Sequence, residues 1–390
     1  MKHLILLATG LVFSFNLFAQ PIGNILSEIE KNNTTLLALR KNIDAEEIGN
    51  RTGIYLQNPE AGFNYLWGNP STIGNRTDFS VKQSFYFPTV YGYKSQIANL
   101  KNEQAELEYQ KQQKAILSEA RSVLADLAYL NARRSELSKR EVHAGQIAGS
   151  YQAKYDAGEA NILEYNKSQL NRLTLNKEIE TAEIERKALL SRLAIFNGGI
   201  PVNFTEKSLP DETILPDFEE WYAFAERNNP VLQWLKQEIA ISQKQTNLQS
   251  AMVLPKIDAG YMSEKVTGEQ FQGITIGVSI PLWENKNTVK YAKAKTLAVQ
   301  SMEADVKLQF YNEMKVIHAK VVALQSSIAE YKKSLLAFNH SDLLKKALDK
   351  GEISLSEYLY ELSVYYNSTD KLLEMERDLN KAIAELHRFQ

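Results

Sequence analysis

At 390 residues the chain is long enough for one large core or two ordinary domains. Its 45 Lys and Arg nearly balance 47 Asp and Glu, spread along the chain, so no basic footprint for nucleic acid exists. Cysteine is absent, which excludes disulfides, thiolate metal ligation and thiol catalysis.

The chain opens Met1-Lys2-His3, runs apolar from Leu4 to Phe18 and reaches a small residue at Ala19. That order of positive, apolar and small residues is the pattern of a secretory leader, so residues 1–19 are expected to be a signal peptide. The mature chain then begins near Gln20, outside the cytoplasm. With no cysteine at the cut, it is not lipidated there.

A helical pattern follows from about Gly23 to Gln57 and meets Pro59, where proline ends the helix and starts extended chain. Two β-like segments fill about 60–87. In the first, Ala61, Phe63, Tyr65 and Trp67 alternate with Gly62, Asn64 and Gly68; in the second, Phe79, Val81, Phe85 and Phe87 fall opposite Asp78, Ser80, Lys82 and Ser84. A proline-free stretch from about Val90 to Tyr155 reads as one very long helix, on the order of 95 Å at 1.5 Å per residue. Its apolar residues step by threes and fours through Ile116, Ala120, Val123, Leu127, Leu130 and Leu137, the spacing of a coiled coil. Gly158 reads as a helix-terminating turn, and a return helix is expected over about 162–196.

After a Gly- and Pro-rich connection at 198–217 the chain repeats itself. Asn228-Asn229 and Pro255 match Asn32-Asn33 and Pro59 at a spacing of about 196; Pro281, Gly351 and Phe389 match Pro88, Gly158 and Phe196 at about 193. One offset, one shift and one new offset mark a duplicated unit. The second copy, 218–390, is expected to have a helix to about Leu254, strands over about 256–282 with a loop from Glu264 to Gln270, a long helix over about 288–350 with a seam through Leu324, Ile328, Tyr331, Leu335 and Phe338, and a return helix over about 355–389. The first copy occupies 20–197.

Four strands cannot close a barrel or hide their edges. Three chains would supply about twelve, an even number within the range of outer-membrane barrels, and pool their helices into a tube. The fold class expected is therefore mainly α with a membrane β-barrel portion. Lys82 and Asp78, on the polar strand face, would point into the lumen. Trp67, Tyr86 and Trp283, near strand ends, would be belt aromatics at the membrane surface; packed hairpin residues are the plainer alternative.

The order helix, strand hairpin, long helix, glycine turn and return helix, present twice behind a leader, resembles the TolC family of outer-membrane efflux channels. The residues that carry the resemblance are Tyr155-x-x-Gly158 with Glu164, Leu348-x-x-Gly351 with Glu357, Asn229-Pro230, and the strand-ending Phe87-Pro88 and Ile280-Pro281. Asn58-Pro59-Glu60 is similar to members that serve cation-exporting pumps.

The resemblance implies a homotrimer in the outer membrane, extending into the periplasm as an α-helical tunnel, without enzymatic activity of its own. It implies a periplasmic adaptor (membrane fusion protein) docked on a tip formed by Gly158, Glu159, Ala160 and Asn161 with Gly351, Glu352, Ile353 and Ser354. An inner-membrane pump of the RND type would supply the energy. Glu357, with Glu164 as its duplicate, occupies the place of an acid at the closed entrance. Three such carboxylates around one axis would bias opening by repulsion, cation attraction or proton uptake. Where relatives often carry a second acid one turn further along, this chain has Tyr360.

Glu164 and Glu357 also admit a plainer reading as solvated helix-face carboxylates, and no nucleophile or base accompanies them, so no catalytic residue is assigned. His143, His318, His340 and His387 are scattered singly, so neither metal site nor cofactor is expected. The competing function is a soluble periplasmic coiled-coil adaptor or scaffold. Two complete copies of the strand pair favour the channel.

Overall fold

In the computed structural model, residues 22–212, 214–338 and 341–389 are described. The expected leader lies outside them, as does His340.

The chain begins with α1 (Ile22–Asn32) and α2 (Thr34–Asn50). The single helix expected here is interrupted at Asn33, whose side-chain amide donates to the Phe196 carbonyl at 2.9 Å. The second copy breaks at the matching asparagine, between α5 (Phe218–Asn228) and α6 (Pro230–Ala251). There Asn229 Oδ1 accepts from the Val231 N–H at 2.8 Å and Pro230 opens the helix. An asparagine cap followed by proline starts a helix rather than continuing one.

Strands β1 (Glu60–Leu66), β2 (Arg76–Phe85), β3 (Lys256–Val266) and β4 (Glu269–Ser279) form one antiparallel sheet in that order. Phe63 lies opposite Phe79, Val81 opposite Tyr261, and Tyr261 opposite Ile274, so the apolar alternation of all four strands falls on one face. The expected loop over Glu264–Gln270 is instead a two-residue turn, Thr267-Gly268. Gly268 has φ 88°, the left-handed conformation that lets so short a hairpin close.

The long helices are α3 (Pro88–Asp156), α4 (Ile162–Phe196), α7 (Thr288–Ala337), α8 (Ser341–Asp349) and α9 (Leu355–His387). Proline at the first position of α3 needs no helical donor there. The second long helix, expected unbroken to about 350, is divided into α7 and α8. Phe338 closes α7, its N–H donating to the Ser334 carbonyl at 3.0 Å.

Two compact units emerge, and each draws on both repeats. One comprises the described residues of Met1–Thr34, Ile116–Thr213 and Lys320–Glu385. Its first core packs Ile25, Leu26 and Ile29 against Ala120, Val123, Leu124 and Leu127, with Leu193, Val202 and Phe204 closing it. A second joins Leu130, Leu137 and Ala144 of α3 to Leu175 and Ala182 of α4. The α3 seam is thus buried as its spacing requires. Of the second seam, Ile328 is buried while Phe338 is 70% exposed in a single chain.

The other unit comprises the described residues of Thr35–Ala115, Ile214–Ala319 and Leu386–Gln390. It holds the sheet and an aromatic cluster in which Phe218, Trp221 and Tyr222 of α5 meet Phe310, Tyr311 and His318 of α7. No helix among the described residues is long and apolar enough to cross a membrane.

Candidate functional site

Two surfaces carry the chemistry. In the first, the two faces of the sheet differ sharply. On one, Phe63, Ile274, Ile276 and Val278 are more than half exposed, and Phe79, Tyr261 and Ile257 substantially so. On the other, Arg76 Nε lies 2.7 Å from Asp78 and its guanidinium 3.1 Å from Glu264, while Lys82 Nζ lies 3.5 Å from Asp258, which also accepts from Ser84 Oγ at 2.5 Å. Charges here cross between strands of the two repeats and neutralise one another. The order β1-β2-β3-β4 leaves β1 and β4 as edges. An amphipathic sheet with open edges and bare aliphatics needs both edge partners and an apolar medium.

Of the three belt candidates, Trp67 follows β1 at the hairpin-turn end of the sheet and is 80% exposed, edge-on to Tyr65. Trp283, equally exposed, follows β4 at the opposite end. Tyr86 shares that end, but it is packed: its hydroxyl accepts from Gln57 Nε2 at 3.2 Å, and Lys94 and Lys256 approach its ring.

The glycine turns form the second surface. Gly158 and Gly351 have φ 75° and 73°. The Gly158 N–H donates to the Tyr155 carbonyl at 3.0 Å, and that of Glu159 to Lys154 at 2.7 Å; the second copy repeats this from Gly351 to Leu348 and from Glu352 to Ala347. These bonds occupy the last carbonyls of α3 and α8, which the left-handed glycine makes possible.

Asn161 then caps α4, accepting from the Leu163 and Glu164 N–H groups, while the Glu164 carboxylate accepts from the Asn161 N–H at 3.2 Å. Ser354 and Glu357 repeat the arrangement, with Ser354 N–H to Glu357 Oε2 at 2.8 Å and Glu357 N–H to Ser354 Oγ at 3.2 Å. Both acids therefore have a first duty as members of capping boxes. The spacings Asn161-x-x-Glu164 and Ser354-x-x-Glu357 carry that signal in the sequence. Hydrogen bonds from Ser354 hold the exposed Glu357 carboxyl below the ordinary carboxylate range. Proton uptake by Glu357 thus belongs to acid conditions, and near neutrality it presents a fixed negative charge.

Ala160 and Ile353 are half-buried, whereas Gly158, Glu159, Gly351 and Glu352 are exposed. Lys167 Nζ donates to Ser356 Oγ at 2.7 Å and joins the second turn of α4 to the first turn of α9. Sequence reading did not single out this pair, because its members occupy non-equivalent places in the two repeats. Among the described residues no group of three or more His, Cys, Asp or Glu gathers to hold a metal.

No protein-family model matches the chain, and no curated protein matches its sequence. Solved structures do. A membrane protein from Pseudomonas aeruginosa is similar with a TM-score of 0.80 at 12% identity, over 94% of this chain and 91% of the other. The Campylobacter jejuni CmeC outer membrane channel gives 0.71 at 14% identity, over 94% and 85%. CusC, described in connection with transmembrane channel formation, gives 0.75 at 12% identity, over 95% and 92%. The chain has the fold of the TolC-type outer-membrane channels, mainly helical with one four-stranded antiparallel sheet.

Proposed function

We propose that three copies of the chain pool their strands into a twelve-stranded barrel in the outer membrane and their long helices into a periplasmic tunnel. The assembly is a passive exit duct of a tripartite efflux system. A periplasmic adaptor docks on the two glycine turns, Gly158 to Asn161 and Gly351 to Ser354, and an inner-membrane pump of the RND type supplies the energy. The chain contributes path, gate and docking tip, and no catalysis. Residues 1–19 direct export.

The observation that carries this reading is the sheet. Strands β3 and β4, eleven residues each, at about 3.3 Å per residue and a tilt of about 40°, rise roughly 28 Å, close to the apolar band of a membrane barrel. Their bare aliphatic face suits lipid, and their ion-paired face suits a water-filled lumen. Trp67 at one rim and Trp283 at the other, with Tyr86, suit the two membrane surfaces. Glu357 and Glu164 surround the entrance; a ring of ionised Glu357 carboxylates attracts cations and repels itself. Export of metal cations fits the Asn58-Pro59-Glu60 segment, which is similar to that of members serving cation-exporting pumps.

The test is fractionation of cells producing the full chain, followed by native mass measurement in detergent. Outer-membrane recovery and a mass of three chains are expected. Recovery as a detergent-free soluble monomer would favour the adaptor or scaffold function instead, but that function leaves the exposed strand face without a partner.

A further inference from the structure

Helix α9 belongs to the second repeat, yet its polar contacts run chiefly to α3 of the first. Arg140 of α3, 94% buried as a side chain, grips Asp370 of α9 with both terminal nitrogens at 2.9 and 2.7 Å, and lies over the Tyr366 ring at 4.4 Å. Lys381 reaches Asp126 at 2.9 Å. Seven residues past Gly351, Tyr358 is wholly buried, and its hydroxyl lies 2.9 Å from Nε2 of His143, one turn along α3 from Arg140.

This last contact has no counterpart in the duplicate. The residue matching His143 is Leu336, 82% exposed, and the one matching Tyr358 is Tyr165, which stacks on Tyr155. Only one of the two equivalent seams received a titratable pair, immediately behind a turn assigned to docking.

We propose that the His143–Tyr358 contact is a proton-sensitive latch, which holds the first turns of α9 against α3 and releases them on acidification. Its effect on the entrance rests on the channel reading above; the latch itself does not. With neutral His143, Nε2 accepts the phenolic proton. In the imidazolium Nε2 becomes a donor, and the phenol must turn its proton into a dry surround. The groups facing the pair are Lys345 and Asp349 of α8, mutually paired at 2.8 Å, and Tyr366 of α9, over whose ring lies Arg140 with its partner Asp370. Burial and then the Lys345 cation hold His143 below the ordinary histidine value. Protons are therefore bound more tightly by a conformation in which His143 reaches water. A population shift toward that conformation follows as pH falls below about 6.5.

The test is hydrogen exchange of the 355–366 segment in the full chain, corrected for intrinsic exchange, at about pH 7.5 and about pH 5.5, on either side of the histidine range. Wild type should lose protection several-fold at the lower pH. His143→Gln, which keeps an acceptor and cannot titrate, should hold its protection at both; Tyr358→Phe, which loses the hydroxyl but leaves His143 to titrate, should be less protected already at the higher pH. Unchanged wild-type protection, or a His143→Gln variant that responds like wild type, overturns the latch. Bilayer conductance separates the two claims: a protein that never conducts but shows the exchange pattern keeps the latch and loses the channel. One that conducts with pH-indifferent exchange loses the latch alone.

Discussion

Gly158 and Gly351, at equivalent positions of the two repeats, share one left-handed backbone conformation, with φ of 75° and 73°, and a Cβ added at either would meet nothing within 4 Å. Their requirement is purely conformational. Gly198 differs: its φ is 66°, and an added Cβ would stand 2.4 Å from the Asn32 carbonyl.

Alanine at Gly158 or Gly351 should therefore cost about 1 kcal/mol of backbone strain and leave the fold intact. Gly198→Ala should be distinctly worse, since a rigid carbonyl must move. Chemical denaturation of the three variants checks the ranking.

The capping boxes predict a loss of about 1 kcal/mol for Asn161→Ala or Ser354→Ala. Glu357 adds a pH dependence of known sign. Its folded pKa is depressed by Ser354, so its contribution is present above the ordinary carboxylate value and fades as pH falls through the folded one. A stability difference between wild type and Glu357→Gln should be visible at pH 7 and shrink under acid.

Arg140 is buried with one carboxylate partner, so Asp370→Leu alone strands a charge and should cost roughly 3–5 kcal/mol. Arg140→Met combined with Asp370→Leu should recover much of that. A double-mutant cycle by denaturation measures the coupling.

On the strands, Ile276 and Thr275 are neighbours on opposite faces. Lysine at Ile276, on the face proposed to meet lipid, should cost about 2–4 kcal/mol and reduce assembled oligomer in the outer membrane. Lysine at Thr275 should assemble. Gel analysis of membrane fractions distinguishes them.

Trp67 and Trp283 are 80% exposed, whereas Trp221 is 1% exposed. Lipid-borne quenchers placed near the headgroups should quench the first two and spare Trp221. Single-tryptophan variants read this directly.

How much of this was legible in the sequence depended on whether a signal was periodic. The β2 alternation Phe79, Val81, Phe85 and the α3 seam Val123, Leu127, Leu130 gave faces that the structure keeps, because one-sided burial imposes its period on the chain. Gly158 and Gly351 stood out because little else tolerates their backbone. Local punctuation was harder. Asn33 and Asn229 interrupt helices without changing the hydrophobic rhythm, and Thr267-Gly268 closes a hairpin with only one special residue. Phe338-Asn339-His340 has neither proline nor glycine, so nothing in its composition announced the end of α7. The acids Glu164 and Glu357 were paired by the duplication and given a role by resemblance, although their capping spacing was already written three residues upstream. Contacts between repeats, such as Lys167 with Ser356, arise from packing of segments far apart in the chain, and no local pattern encodes them.

The central claim, that this chain builds a conducting pore, is tested most directly by single-channel recording of the purified, detergent-solubilised protein in planar lipid bilayers. The account predicts discrete conductance steps, weakly ion-selective through the charge-balanced strand face and lost in Ile276→Lys. A pure, folded protein that leaves the bilayer silent at every pH and voltage would contradict it.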